Sequence, residues 1–174
     1  KNNFELAENY LKKIKYFSQS DRFISAILES LSQYIYVFKE KKVLANKKNF
    51  GKLSVISEVF QKCYLNDTNT DTYFYNLIND VKADYTRYVF FYLSYLVENN
   101  RIEKAKKTVR DFEYINTSLL ISQGKNWIES GNVGNFNKVF SCQNHNDIVS
   151  EFLFLISNLY SSQDDIEKSN FYLN

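Results

Sequence analysis

Apolar residues recur along this chain at intervals of three and four, most regularly between Tyr85 and Phe112. Val89, Tyr92, Leu93 and Leu96 keep a period of about 3.6 residues. Glu98, Asn99 and Asn100 interrupt it, and Ile102, Ala105, Val109 and Phe112 resume it. The pattern predicts two amphipathic helices joined by a tight turn. Upstream, Phe4, Ala7, Leu11 and Ile14 predict a helix near the beginning of the chain. Ser20 or Asp21 then supplies a capping oxygen for a long helix from Arg22 to about Lys41, with Ile24, Ile27, Leu28, Leu31, Ile35 and Phe38 on one face. Leu53, Ile56, Phe60 and Cys63 mark another over roughly 50–65. From Phe74, Leu77, Ile78 and Val81 the period runs without a breaker into Tyr85 and Val89, which allows one long helix or two joined near 82–84. Each stripe is expected to be buried.

The order of residue sizes in the central hairpin resembles the tetratricopeptide family, whose helix-turn-helix repeat is about 34 residues long. Leu93 stands at the family's small first-helix position, Leu96 at its tyrosine, Asn100 at its turn glycine and Ala105 at the small position of the second helix. Val109 and Phe112 follow on the next packing positions, and Asn tolerates the left-handed backbone that the turn glycine usually supplies. A second repeat places Leu120, Gly124, Trp127, Gly131 and Phe140 correspondingly, with Phe136 where a small residue belongs. That exchange should splay the hairpin or shift its register. A third places Leu153, Ser157, Tyr160, Ser169 and Leu173, with Asp164 at the turn. The best-matching repeats cover 85–116, 117–146 and 147–174, and Phe4 to Ile14 repeats the spacing of a second helix.

The resemblance implies an all-α fold of antiparallel helix pairs stacked into a right-handed superhelix, one tetratricopeptide-like solenoid domain over 1–174 and a segment of a longer array. It also implies a concave groove lined by Arg87, Phe90, Ser94 and Val97, then Glu151, Phe154 and Asn158. Phe90 and Ser94 stand where the family's carboxylate clamp has Lys and Asn, so an extended or helical apolar peptide is the expected ligand rather than a C-terminal tail. The same aromatics would equally serve as contacts between neighbouring helices. Terminal repeats without caps would expose apolar faces and favour self-association or a packed neighbour.

Composition sharpens this picture. The chain has 174 residues, 44% hydrophobic, with no proline and four glycines, which favours long helices with short turns over strands. The 17% aromatic content favours strands on propensity alone, but the period decides against them. A net charge of +2 gives no bulk attraction to nucleic acid or anionic membrane. Lysines over 39–52 and 104–107 would form a phosphate-binding surface only by converging on one face; otherwise they are solvated helix ends. No apolar run is long enough to span a bilayer. The absence of methionine suggests missing upstream residues, by signal-peptide removal or trimming, which leaves the compartment open. Cys63 and Cys142, far apart and in amphipathic helices, are expected to be buried thiols rather than a disulfide.

Candidate chemistry is sparse. Asp67, Asn69 and Asp71 alternate like the start of a calcium loop, but Thr72 and Ile78 fall where glycine and a bidentate Glu are needed, so a turn with an N-cap at Asp71 is expected. Cys142 and His145 are three apart, yet one histidine in the whole chain cannot complete a zinc site and nothing nearby supplies an oxyanion hole. Trp127 is expected in the core. The chain thus reads as noncatalytic, without cofactor or metal: a protein-protein interaction scaffold. A helical repeat reading single-stranded RNA and a helical segment of a larger enzyme are the alternatives.

Overall fold

The structure is a computed structural model and describes residues 3–17, 22–45, 48–80, 86–112 and 118–173, the side chains of 16 and 17 excepted. In chain order the helices are α1 (Phe4–Phe17), α2 (Arg22–Glu40), α3 (Lys52–Tyr64), α4 (Thr70–Ile78), α5 (Tyr88–Glu98), α6 (Ile102–Asp111), α7 (Leu119–Glu129), a 3-10 turn (Val133–Asn135), α8 (Phe136–Val139), α9 (His145–Ser161) and α10 (Ile166–Leu173). Among the described residues there is no strand, so the all-α expectation holds. The helices form two compact units, one of residues 1–65 with 145–174 and one of residues 66–144.

In the first unit α2 packs against α1, α3 and α9, and α9 also packs against α3 and α10. The unit is therefore closed by helices from opposite ends of the sequence. Its core combines Ile27, Val37 and Phe38 with Val59, Phe60, Ile148 and Ile156. Aromatic rings meet edge to face, Tyr34 with Phe152 at 5.5 Å and Phe38 with Tyr64 at 4.8 Å between centroids. A polar line crosses the same helices: the Gln61 amide donates to Gln33 at 3.2 Å and to the Ser57 hydroxyl at 3.0 Å. Gln33 donates to Glu29 at 3.2 Å, and Lys15 reaches the other Glu29 oxygen at 2.9 Å. Burial alone would raise the Glu29 carboxyl, but the Lys15 and Gln33 hydrogen bonds hold it below the usual range.

In the second unit α5 is the hub, packed by α4, α6, α7 and α8, with α6 also on α7. Every residue from Tyr88 to Val97 is buried, so α5 is covered on all sides instead of along the single stripe the period marks. The preceding helix is separate. It stops at Ile78, where the Asn79 amide donates to the Tyr75 carbonyl at 3.2 Å, although residues 81–85, like the caps expected at Ser20 and Asp21, lie outside the described residues. The middle hairpin departs from its expected form, since its second helix shrinks to the 3-10 turn and the single turn of α8. At its start stands Phe136, whose fully buried ring lies 5.2 Å from Phe90 and 5.3 Å from Trp127. Gly124 admits these rings, since a Cβ there would stand 3.0 Å from Phe90 and 3.4 Å from Phe136.

The turns match the sequence reading closely. Asn100, Gly131 and Asp164, the three positions aligned with the family's turn glycine, have φ of 58°, 77° and 60°. After α5 the Arg101 amide donates to the Leu96 carbonyl at 2.8 Å and the Asn100 amide to Val97 at 2.9 Å, a Schellman closure. Asp164 and Asp165 repeat it after α9, onto Ser161 and Tyr160, both at 3.1 Å. Asn100→Val should therefore cost about 1–2 kcal/mol, because a β-branched residue resists positive φ. Asn100→Gly should be neutral or slightly stabilising; urea denaturation of both variants checks this.

Candidate functional site

The residues expected to line a groove divide between the two units. In the second unit Phe90 and Ser94 are fully buried, Val97 is buried and Arg87 is half-buried. Phe90 belongs to the ring cluster around Phe136, Ser94 donates to the Phe140 carbonyl at 2.9 Å, and the Arg87 guanidinium lies 5.5 Å from the Phe91 ring. In the first unit Glu151 is buried, Phe154 is half-buried and only Asn158 is exposed. Glu151 lies near enough to Tyr34 to help burial, the larger cause, push that hydroxyl's pKa up. These are mostly packing positions, the role open to the aromatics from the outset.

Exposed apolar side chains lie elsewhere. On α1, Leu6, Tyr10 and Ile14 recur every four residues and are 48%, 56% and 47% exposed. Ile14 was expected inward with Phe4 and Leu11, but the helix turns Phe4 toward Phe38 and His145, at 6.0 and 5.4 Å, and Ile14 falls at the outer edge of that face. Lys13 borders the stripe, its ammonium 5.9 Å from the Tyr10 ring. Ile166, Phe171 and Leu173 are also exposed on α10. The period carried this signal only in part, since it marked Ile14 and not Leu6 or Tyr10.

Four lysines of the basic stretches are engaged within their own units. Lys39 pairs with Glu8 at 3.4 Å, and Lys41 reaches the Tyr64 hydroxyl and lies 4.2 Å from its ring. Lys106 pairs with Glu103 at 2.8 Å. Lys104 binds Asp71, which also takes Arg101 at 3.2 Å and the Tyr92 hydroxyl at 2.7 Å. Asp71 is not the N-cap: Asn69 takes that place, its own amide donating to the Asp67 carboxylate at 2.9 Å, and Asp71 falls in the first turn. Burial would raise the Asp71 carboxyl, but Lys104, Tyr92 and Arg101 together hold it below the ordinary range. The Tyr92 phenol is pushed up by burial and by that carboxylate.

The cysteines overturn an expectation. Both are buried, but neither is a thiol: Cys63 and Cys142 are disulfide-bonded, and Cys142 sits in the turn before α9 rather than in a helix. A disulfide sulfur also removes the thiolate from any Cys142–His145 pair. His145 begins α9 against Phe4 and Phe38, and Trp127 is half-buried against Phe90 and Phe136. Among the described residues no group of three or more His, Cys, Asp or Glu could hold a metal, and no helix is long and apolar enough to cross a membrane.

Comparison with protein-family models, curated proteins and solved structures returned no match. The tetratricopeptide resemblance therefore rests on the residues named above.

Proposed function

We propose that this chain is a noncatalytic interaction module built from tetratricopeptide-like helical pairs, and that it recognises an amphipathic helix of a protein partner along α1. What carries this reading is the exposed row Leu6, Tyr10 and Ile14 on a helix whose other apolar face is already used against α2. Three apolar side chains one turn apart match the ridge that a helix presents to another helix. Lys13 at the border favours an acidic residue beside the partner's apolar stripe. The interaction role is the one the family resemblance implies, with its working face on α1 instead of the groove positions, most of which are packing residues. The superhelical stacking of the pairs is part of the same proposal.

Selection from a library of displayed amphipathic helical peptides tests the proposal. Enriched peptides should carry apolar residues at helical spacing with acidic flanks, and Leu6→Ser with Tyr10→Ser should weaken them at least about tenfold, or ~1.4 kcal/mol, without moving the thermal midpoint. Peptides that bind the double variant unchanged, or none enriched, would overturn it. Retention of single-stranded RNA with a steep salt dependence would instead favour the lysine surfaces.

A further inference from the structure

The helix α1 has 14 residues, and none of its described side chains is buried. Its inward residues Phe4, Ala7 and Leu11 stay half-buried on α2, where Phe4 lies 6.0 Å from the Phe38 ring and 5.4 Å from His145 of α9. Two ion pairs tie it to α2: Glu8 with Lys39 at 3.4 Å and, about two turns on, Lys15 with Glu29 at 2.9 Å. We infer that α1 opens away from α2 as a segment of its own, while the rest of the unit stays folded, and that these two ion pairs are its latch. Half-buried side chains remove little apolar area from water, whereas Val37, Val59 and Ile148 between α2, α3 and α9 are at most 1% exposed. The weakest joint of the unit is therefore the one beneath α1. An isolated helix of about this length is marginal in water, so α1 loses its helix as it leaves α2. The two pairs differ in strength. Glu29 is 15% exposed and is also held by Gln33, whereas Glu8 and Lys39 are 38% and 37% exposed and screened by solvent. Opening disperses Leu6, Tyr10 and Ile14, so a partner seated on that row holds α1 closed, a step that rests on the interaction reading above.

Hydrogen exchange of the chain alone tests the latch with no partner present. Relative to their unfolded rates, amides of α1 should exchange at least about tenfold faster than those of α2 between Ala26 and Phe38. Raising the salt from about 0.05 to about 0.5 M should speed α1 about two- to fivefold and leave α2 unchanged. At low salt Lys15→Gln should speed α1 about three- to tenfold, more than Lys39→Gln does, and Lys15→Arg should match the native chain. Gln and Lys have similar helix propensities, so the change reports the ion pair. Equal protection of α1 and α2 would show that α1 opens only with the whole unit and would overturn the separate segment. Fast exchange that neither salt nor Lys15→Gln alters would overturn the latch. A peptide enriched on the α1 row should slow α1 exchange, and one that binds there without slowing it would overturn the closing step. A chain whose α1 opens as expected but which enriches no peptide keeps the latch and loses the interaction reading.

Discussion

Phe90→Ala is expected to lower the unfolding free energy by about 3–5 kcal/mol, the range for deleting a fully buried phenyl ring. Phe154→Ala should cost only about 1 kcal/mol, since a half-buried ring has less apolar area to lose. The sequence places the two residues in equivalent positions, yet their surroundings differ. Phe90 is enclosed by Phe91, Trp127 and Phe136, with centroids at 5.6, 6.3 and 5.2 Å, and by the backbone of Gly124. A cavity there cannot collapse easily, because α5 is held on several sides by its neighbours. The single tryptophan of the chain, Trp127, lies in this cluster, so its emission reports the loss directly. Urea denaturation followed by Trp127 fluorescence should show an earlier midpoint for Phe90→Ala and nearly the native one for Phe154→Ala. Unchanged midpoint and emission in Phe90→Ala would mean that this ring is not a core element and would return it to a binding surface. A binding defect in a Phe90 variant is thus no evidence for a groove until its stability is known.

What the sequence made legible follows from which properties are local. Helix positions came from the period, and the turn residues from their tolerance of positive φ: Asn100, Gly131 and Asp164 all adopt it. Ser157 and Ser169, two positions of the third hairpin, are buried against each other with their hydroxyls 3.0 Å apart. What escaped was everything set by partners distant in the chain. The period on α5 marks Val89, Tyr92, Leu93 and Leu96, but it cannot tell that other helices cover the remaining sides and bury Phe90 and Ser94 as well. Nor does it show that α9 packs on α2 and α3, since a stripe states which face is buried and not against what. Asp71 is a milder case: its place near a helix start was readable, while its use as an acceptor for Tyr92, Lys104 and Arg101 depends on α5 and α6 arriving beside it.

That cluster carries the second large effect. Asp71→Ala should cost about 2–3 kcal/mol, because it leaves the Tyr92 hydroxyl without this acceptor and two cations without their anion. Asp71→Asn keeps an acceptor oxygen for Tyr92 and loses only the charge, so about 1 kcal/mol is expected. The two variants thus separate the hydrogen bond from the ion pair. Acidification gives an independent check. The Asp71 carboxyl titrates below its ordinary range in the folded chain, despite burial, because Lys104, Tyr92 and Arg101 favour its charged form. A carboxyl with a depressed folded pKa binds more protons unfolded than folded in this range, so its stabilisation is complete above the unfolded pKa, roughly 3.9, and is lost as pH falls through the folded one. Stability of the native chain should therefore decline from about pH 5 downward, and Asp71→Asn should decline less steeply. Glu29, lowered by Lys15 and Gln33, contributes to the same window from the first unit, so Asp71→Asn flattens the profile without abolishing its slope. A full slope in Asp71→Asn together with a flat one in Glu29→Gln would place the acid sensitivity in the polar line of the first unit and leave Asp71 a hydrogen-bond acceptor only.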